Sequence, residues 1–298
     1  MSTIVAVDGL RKRFGKTEAL RGISFTIKSG EVMGYVGPNG AGKSTTIRTL
    51  LGLIKASDGR ATIFGKDVWS DAIAIHRRVA YVPGDVYLWP NLTGGEIVDV
   101  LLGLQDHGQV NRRRLHDLVR NFDFDPKKKA RSYSKGNRQK VALIAALATD
   151  ADLYIFDEPT SGLDPLMEAV FQQEVEQLKA QGKAILLSSH ILSEVERLCD
   201  HIAIIRQGRI IENGSLEDMR HLTRYEFNVE TTQPATSLRE VPAVHHLEQN
   251  GTKSVFQADS DKIQSVLDAL RPYEVVRLDA APQTLEELFL REYAKDGK

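Results

Sequence analysis

The stretch Gly37-Pro38-Asn39-Gly40-Ala41-Gly42-Lys43-Ser44-Thr45 places the strongest constraint on how this chain folds. The residues before it, Glu31–Val36, are largely apolar and predict a buried strand. The residues after it place Ile47, Leu50 and Leu51 at helical spacing. A strand, a glycine-rich loop and a helix, with the pattern GxxxxGK[ST] at the junction, form the P-loop arrangement.

The residue types of this loop indicate its chemistry. Glycines allow the backbone to curve around a polyphosphate, so that successive N–H groups and the start of the following helix face negative charge. Lys43 can then reach the β- and γ-phosphates, and the Ser44 hydroxyl can bind Mg²⁺. The alternative, a fortuitous glycine-rich turn, is disfavoured by the strand and helix on either side. We therefore expect the chain to bind a nucleoside triphosphate.

A second predicted strand supplies acidic groups. Leu153–Phe156 is apolar and is followed directly by Asp157 and Glu158. At the tip of a buried parallel strand, a P-loop protein places the aspartate that holds Mg²⁺, and a neighbouring carboxylate can deprotonate the water that attacks the γ-phosphate. We predict Asp157 as a metal-binding residue and Glu158 as the general base. Helix capping is the alternative for both.

Two further side chains are candidates because of their positions. His190 follows the strand predicted at Ala184–Leu187, and ligands of open α/β sheets collect at such strand ends. A lone histidine is more often structural, but this one lies where a γ-phosphate sensor is expected. Phe14 is an aromatic residue in the basic turn predicted at Leu10–Gly15, where a purine base can stack on it. Taken alone, Phe14 is more simply interpreted as a packing residue.

The surrounding segments predict an α/β domain with an antiparallel β layer and a helical insert. Three short strands are predicted for the layer: Thr3–Val7, Gly22–Ile27 and Ala61–Gly65. The insert covers about residues 91–135. In it, Thr93 and Glu96 have capping-box spacing, Asn111 caps a second helix, and Asp125-Pro126 is expected to start a third.

Charge and hydropathy narrow the function classes. The 298 residues include 39 Lys and Arg against 40 Asp and Glu, so the chain lacks the excess of basic charge that is typical of nucleic-acid binding. The basic triplets Arg112–Arg114 and Lys127–Lys129 are each expected at a helix start on a solvated face. Cys199 is predicted as a core residue in a reducing compartment. The longest apolar run, Val141–Ala148, falls short of the roughly 20 residues of a membrane span, which predicts a cytoplasmic protein.

Taken together, these features resemble the nucleotide-binding subunit of ATP-binding cassette (ABC) transporters over about residues 3–220. Five motifs occur in the order found in that family: the P-loop, the signature Tyr133–Asn137, the Asp157-Glu158 strand, the turn Ser161–Asp164, and His190. The resemblance implies that Phe14 stacks on the nucleotide base and that two subunits pair head to tail around two ATP molecules. Ser134 and Gly136 would then meet the γ-phosphate on the partner's P-loop.

Two positions depart from the family pattern. The signature usually reads Leu-Ser-Gly-Gly-Gln, and Lys135 here adds a cation that we expect at the dimer interface, with solvent exposure as the alternative. Gly84, followed by Asp85, stands where the family has a glutamine that contacts Mg²⁺. We expect a water in place of that glutamine, with Asp85 holding the water or binding the metal directly. Both variants resemble the branch that includes antibiotic and polysaccharide exporters, which implies export.

A change in composition predicts two domains, an ATP-binding domain at residues 1–221 and an accessory domain at 222–298. In the second domain, the predicted order β-α-β-β-α-β is the ferredoxin-like pattern. The predicted strands are Tyr225–Thr231, Val244–Glu248, Ser254–Ala258 and Glu274–Leu278, and the predicted helices are Ser237–Val241, Lys262–Leu270 and an amphipathic Thr284–Tyr293. No catalytic pattern is visible in this domain, so regulation and dimer bracing both remain open.

The resemblance implies an ATPase that lies peripherally at the cytoplasmic face of the cell membrane. Its implied partners are a second copy of itself or a paralogous ABC subunit, together with integral membrane permease subunits. Tyr87, Leu88 and Trp89 offer an apolar face on which a permease helix can dock. Two alternatives are an importer ATPase with a ligand-sensing C-terminal domain and a soluble ABC ATPase without a transport role. The soluble class generally carries two cassettes or long coiled coils, and this chain has neither pattern.

Overall fold

The computed structural model describes residues 2–104, 111–221 and 224–282. Contacts within the chain divide it into two compact units, Met1–Asn213 and Gly214–Lys298. The boundary predicted from composition lies slightly further along the chain. Within the described ranges, no helix is long and apolar enough to cross a membrane.

The first unit contains ten strands and seven α-helices among its described residues. The strands are β1 (Thr3–Phe14), β2 (Thr17–Lys28), β3 (Val32–Val36), β4 (Asp58–Ile63), β5 (Lys66–Asp67), β6 (Val79–Val82), β7 (Leu153–Asp157), β8 (Ala184–Ser189), β9 (His201–Arg206) and β10 (Arg209–Ser215). The helices are α1 (Lys43–Leu50), α2 (Ala72–His76), α3 (Gly94–Leu104), α4 (Arg112–Asn121), α5 (Lys135–Leu147), α6 (Pro165–Ala180) and α7 (Leu192–Leu198).

A six-stranded sheet in the order β10-β9-β3-β8-β7-β6 forms the centre of this unit. Strands β3, β7 and β8 are buried along their whole length, which explains why their sequences are nearly continuous apolar runs. Neighbours from β9 to β6 pair in parallel, with Val36 opposite Ser189 and Asp157 opposite Ser188. The carboxyl ends of β3, β7 and β8 therefore meet at one edge, and we call this edge the catalytic edge.

The predicted antiparallel layer is confirmed as a four-stranded sheet in the order β2-β1-β4-β5. The turn predicted at Leu10–Gly15 is wrong, because β1 continues to Phe14, which pairs with Thr17. Alternate residues at the start of β1, Val5 and Val7, are buried, and Leu10 is buried again after a register shift. The charged residues beyond Leu10 therefore still belong to a paired strand.

The helical insert begins with the two predicted caps. The Thr93 backbone N–H donates to Glu96 Oε2 at 2.7 Å, and the Glu96 N–H donates to Thr93 Oγ1 at 3.3 Å, which completes the capping box. Asn111 Oδ1 accepts a hydrogen bond from the Arg114 N–H at 3.0 Å, and this bond caps α4.

The third helix predicted at Asp125-Pro126 is wrong. Residues 125–129 form a turn, followed by one turn of 3₁₀ helix at Ala130–Ser132. The Pro126 carbonyl accepts a hydrogen bond from the Gly95 N–H at 2.9 Å, so it pairs with the start of α3 and not along a helix of its own. The triplet Lys127–Lys129 therefore lies directly before this short 3₁₀ helix and not at the start of an α-helix.

The second unit contains α8 (Leu216–His221) and one antiparallel sheet in the order β12-β13-β11-β14. Its strands are β11 (Arg224–Thr231), β12 (Val244–Asn250), β13 (Lys253–Asp259) and β14 (Val275–Pro282); a 3₁₀ segment spans Thr236–Glu240 and helix α9 spans Ile263–Leu270. Phe227 and Phe256 stack in its core, with ring centroids 5.1 Å apart. The ferredoxin-like class stays a prediction, and the helix predicted at Thr284–Tyr293 lies outside the described residues.

Candidate functional site

The P-loop connects β3 to α1 at the catalytic edge. Lys43 is the first residue of α1 and is 5% exposed, and its Nζ donates to the Gly37 carbonyl at 2.6 Å and to the Pro38 carbonyl at 3.3 Å. Gly42, the N-cap residue, has a φ of 118° and supplies no side-chain cap. The first backbone N–H groups of α1 therefore remain available to an anion, which is the property a triphosphate site requires.

Only glycine fits at the first position of the loop. A Cβ on Gly37 would lie 2.3 Å from the Ile205 carbonyl oxygen, a distance that no side chain tolerates without backbone movement. The close approach of the loop to β9 thus depends on the missing side chain. With no side chain at Gly37, the concave side of the loop is lined by Lys43 and the backbone N–H groups.

The acidic residues extend from the end of β7. Asp157 is buried, and its Oδ1 accepts a hydrogen bond from Ser188 Oγ at 2.5 Å. Glu158 has a φ of 50°, in the left-handed region that non-glycine residues rarely adopt. Its N–H donates to the Ser188 carbonyl at 3.1 Å, so the neighbouring strand holds this unusual backbone conformation in place.

Three of the predicted side chains meet at this point. Glu158 Oε1 lies 3.4 Å from Lys43 Nζ, and Glu158 Oε2 lies 3.4 Å from His190 Nδ1. Half of the His190 side chain is exposed, compared with a quarter of the Glu158 side chain. A carboxylate flanked by a buried lysine and an accessible histidine can accept a proton from a water molecule that approaches from the open side.

The residues predicted for Mg²⁺ form a small set of oxygen donors. Asp157 is 6% exposed at the catalytic edge, and Ser44 is the second residue of α1. Among the residues that the structure describes, no group of three or more His, Cys, Asp or Glu is placed to hold a metal ion. One carboxylate and one hydroxyl suit Mg²⁺, which takes few protein ligands and fills its octahedron with water and phosphate oxygens.

The signature residues form a separate surface. Ser134 is the exposed N-cap of α5, and its Oγ accepts from the Asn137 N–H at 3.2 Å. A Cβ on Gly136 would lie 2.3 Å from the Gly162 carbonyl oxygen, so this glycine packs directly on the Ser161–Asp164 turn. Lys135 Nζ donates to Ser161 Oγ at 2.6 Å, a link that sequence reasoning missed because the two residues are far apart in the chain. Signature and turn therefore form one connected surface.

The remaining candidates lie apart from the cluster of Lys43, Glu158 and His190. Within the described ranges, Phe14, Ser134, Gly136 and Asp85 form no hydrogen bond or ion pair with that cluster. The Phe14 side chain is 48% exposed at the end of β1, with Lys12 Nζ 4.9 Å from its ring centroid. This exposure leaves ring surface accessible to a ligand.

The Gly84 segment passes close to the catalytic edge. A Cβ on Gly84 would lie 3.1 Å from the Asp157 carbonyl oxygen, so a larger residue would require a small shift of the loop. Asp85 is exposed and lines a cavity of about 360 Å³ together with Lys135 and Arg138. Asp85 therefore shares this cavity with two cationic side chains on the signature side of the loop.

The loop beyond Asp85 exposes large apolar side chains. Tyr87 is 91% exposed and Trp89 is 50% exposed. A second apolar surface is a cavity of about 670 Å³, whose lining includes Leu53, Ile73 and Leu104. These three residues are 62%, 78% and 72% exposed, which is unusual for side chains of this size.

Comparisons with known proteins point to one family. The family model described as "ABC transporter" matches residues 20–161. An uncharacterised ABC transporter ATP-binding protein of Synechocystis is 36% identical over 290 residues, which cover 95% of this chain and 80% of the relative. The Nod factor export ATP-binding protein I of Ralstonia nicotianae is 31% identical over 303 residues, which cover 97% of this chain and 93% of that protein.

A solved structure described as the ATP binding subunit of an ABC transporter shares this fold. The match has a TM-score of 0.69 at 33% identity and covers 74% of this chain and 92% of the other. Every candidate site residue lies in the first unit, Met1–Asn213.

Proposed function

Since the chain belongs to the ABC transporter family as an ATP-binding subunit, and is an ATPase, we propose that Glu158 is its general base and that hydrolysis drives export through a separate membrane permease. The observation that carries the catalytic part is the contact of Glu158 with both Lys43 and His190, at 3.4 Å each. The export part is supported by the similarity to the Nod factor export protein over nearly the whole chain.

In the proposed reaction, Glu158 takes a proton from a water molecule as the water oxygen bonds to the γ-phosphorus of ATP. The bond from that phosphorus to the bridging oxygen breaks, and ADP leaves with the electron pair. Lys43 can exchange the Gly37 carbonyl for phosphate oxygens and so stabilise their charge. His190, which is half exposed beside Glu158, is placed to sense the γ-phosphate and to orient the carboxylate.

Mg²⁺ would be held by Ser44 and Asp157, and would supply charge that neutralises the phosphate oxygens. Ser188 fixes the Asp157 carboxylate through its 2.5 Å hydrogen bond. Because Gly84 offers no side-chain oxygen, a water would take the place of the family's glutamine. Asp85 would hold that water from a distance, since a third carboxylate beside Asp157 and Glu158 would be repelled.

The proposed active form is a head-to-tail dimer with a second copy or a paralogous ABC subunit. Exposed Ser134 and close-packed Gly136 would meet the partner's γ-phosphate. Lys135, held by Ser161, would add a positive charge that offsets repulsion between the two nucleotides as the subunits close.

The proposed membrane partner is an integral permease, which would place the chain at the cytoplasmic face of the membrane. Tyr87 and Trp89 are the exposed anchors that we assign to this contact. Large aromatic side chains at a protein surface are typical anchors of protein–protein interfaces.

Glu158→Gln tests the catalytic assignment. The amide keeps the shape of the side chain but cannot accept the proton, so ATP binding should persist while turnover falls about 100-fold or more. ATP binding, hydrolysis and dimer formation are measured on the full chain, with Glu212→Gln, an exposed residue of β10, as the matched control. An ATP-bound dimer should accumulate in the variant. Near-normal hydrolysis by Glu158→Gln would show that another group is the base.

A further inference from the structure

Glu194 on α7 is a buried carboxyl group that the proposed reaction does not use. Its side chain is 6% exposed, and its Oε2 accepts a hydrogen bond from Ser189 Oγ at 2.8 Å. Among the described residues, Oε1 has no hydrogen-bond partner. A carboxyl group in such a place carries a desolvation cost, which calls for a compensating role.

The first contact of Glu194 is with the segment that carries His190. Ser189 directly precedes His190, and its Oγ also accepts from the Ile191 N–H at 3.0 Å. The Ser189 hydroxyl is therefore hydrogen-bonded both to Glu194 and to the backbone N–H that follows His190. By fixing this hydroxyl, Glu194 also fixes the backbone on both sides of His190.

The second link is electrostatic and concerns the turn that follows Glu158. Thr160 in this turn is buried, and its hydroxyl lowers the pKa of Glu194. The same turn is closed by the Ser161 N–H, which donates to the Glu158 carbonyl at 3.2 Å. The hydrogen bond of the Glu194 carboxyl is the one to Ser189, on the segment that carries His190.

We propose that Glu194 is a positioning residue that fixes Ser189, and with it the backbone around His190, and so maintains the 3.4 Å contact between His190 Nδ1 and Glu158 Oε2. The proposal rests on the function proposed above for Glu158 and His190. Loss of the bond to Ser189 would let His190 shift relative to Glu158, and small displacements at a reacting centre cost rate more than binding.

The surroundings of Glu194 both oppose and favour the charged form of its buried carboxyl group. Burial raises the pKa of Glu194, while the hydrogen bond from Ser189 and the Thr160 hydroxyl lower it; the charge of Glu168 on α6 raises it and that of His190 lowers it. The charge of Glu194 in turn adds to the burial that raises the pKa of the Cys199 thiol. The Glu194 carboxyl, which accepts the hydrogen bond from Ser189, is thus present although burial disfavours its charged form. A glutamine at this position would have an amide oxygen that can accept the same hydrogen bond.

The test compares Glu194→Ala and Glu194→Gln in the full chain by steady-state ATP hydrolysis and direct ATP binding. We expect Glu194→Ala to lower kcat about tenfold with KM and ATP affinity within about twofold, and Glu194→Gln to stay within about threefold of wild type in kcat. Glu176, an exposed residue of α6, provides the matched Ala and Gln controls, which should leave kcat unchanged.

A second comparison separates this proposal from the catalytic assignment. In a Glu158→Gln background, Glu194→Ala should lower the residual rate no further, because the base it positions is absent. High activity of Glu158→Gln alone would refute the base assignment, whatever Glu194 does.

Unchanged kcat in Glu194→Ala, a rise in KM alone, or equal losses in the Ala and Gln variants would each overturn the proposal. If Glu194→Ala fails to fold, Ser189→Ala decides the question. It removes the same link from the other side and should lower kcat about threefold with KM unchanged, and a wild-type kcat would overturn the proposal.

Discussion

The catalytic edge and the loop from Gly84 to Trp89 lie close together but are built in opposite ways. At the edge, Lys43 and Asp157 are 5% and 6% exposed, and each is held by hydrogen bonds to the protein. In the loop, Tyr87 is 91% exposed. In the proposed function, chemistry is therefore assigned to groups that are fixed before the ligand arrives, and contact with a partner is assigned to apolar groups that are exposed.

The largest expected effect in this comparison comes from crowding the edge. Gly37→Ala places a methyl group 2.3 Å from the Ile205 carbonyl oxygen, so the P-loop must move. Overpacking of this kind costs about 1–3 kcal/mol, and ATP affinity should fall about tenfold or more, measured by equilibrium binding. Gly103→Ala in α3 is the control, since nothing lies within 4 Å of its added Cβ. Equal affinities of the two variants would mean that the edge is less rigid than described.

An intermediate effect is expected from the loop. Trp89→Ala should leave ATP hydrolysis of the isolated subunit within about twofold and lower transport about tenfold, because it removes an interface anchor without touching the edge.

Asp85→Ala should change basal hydrolysis by only about threefold, since we assign its carboxylate to a water and not to the metal. Both activities are measured with the permease in membrane vesicles. Loss of basal hydrolysis and of Mg²⁺ affinity in Asp85→Ala would mean that this aspartate binds the metal itself.

The smallest effect is expected at the signature, which shares one feature with each region. Lys135 is exposed, as Tyr87 is in the loop, but it is also held by a hydrogen bond to Ser161, as the groups at the edge are held. Lys135→Gly should weaken ATP-dependent dimer formation about threefold and reduce its dependence on salt, since one interfacial charge is lost. Lys127→Gly, in an exposed turn, is the control for removal of a lysine. Dimerisation of Lys135→Gly with wild-type strength and salt response would assign this lysine to the solvent-facing surface.

Predictions from sequence succeeded where the interacting groups are neighbours in the chain. The capping box of Thr93 and Glu96 and the cap at Asn111 each close within three residues, so residue type and spacing were sufficient. The glycine-rich loop between β3 and α1 is of the same kind, because its geometry depends on local backbone freedom.

Predictions failed where a distant segment competed for the backbone. Asp125-Pro126 has the pattern of a helix start, but the Pro126 carbonyl pairs with the Gly95 N–H, about thirty residues earlier in the chain. The basic stretch beyond Leu10 has the composition of a turn, but it is a strand because it pairs with β2 and, at Arg11, with β4. Neither competing partner is visible from local propensity.

The sequence by itself determined which groups this protein offers for the proposed chemistry: the P-loop lysine, the Asp157-Glu158 pair and a histidine at a strand end, each identified by a local pattern. Only the tertiary structure decided how these groups come together. Parallel pairing of β3, β8 and β7 brings Lys43, Glu158 and His190 within 3.4 Å contacts, and folding places the Glu194 carboxyl on Ser189, next to His190. These contacts join residues far apart in the chain, and their distances depend on strand register and close packing, which a linear pattern does not encode.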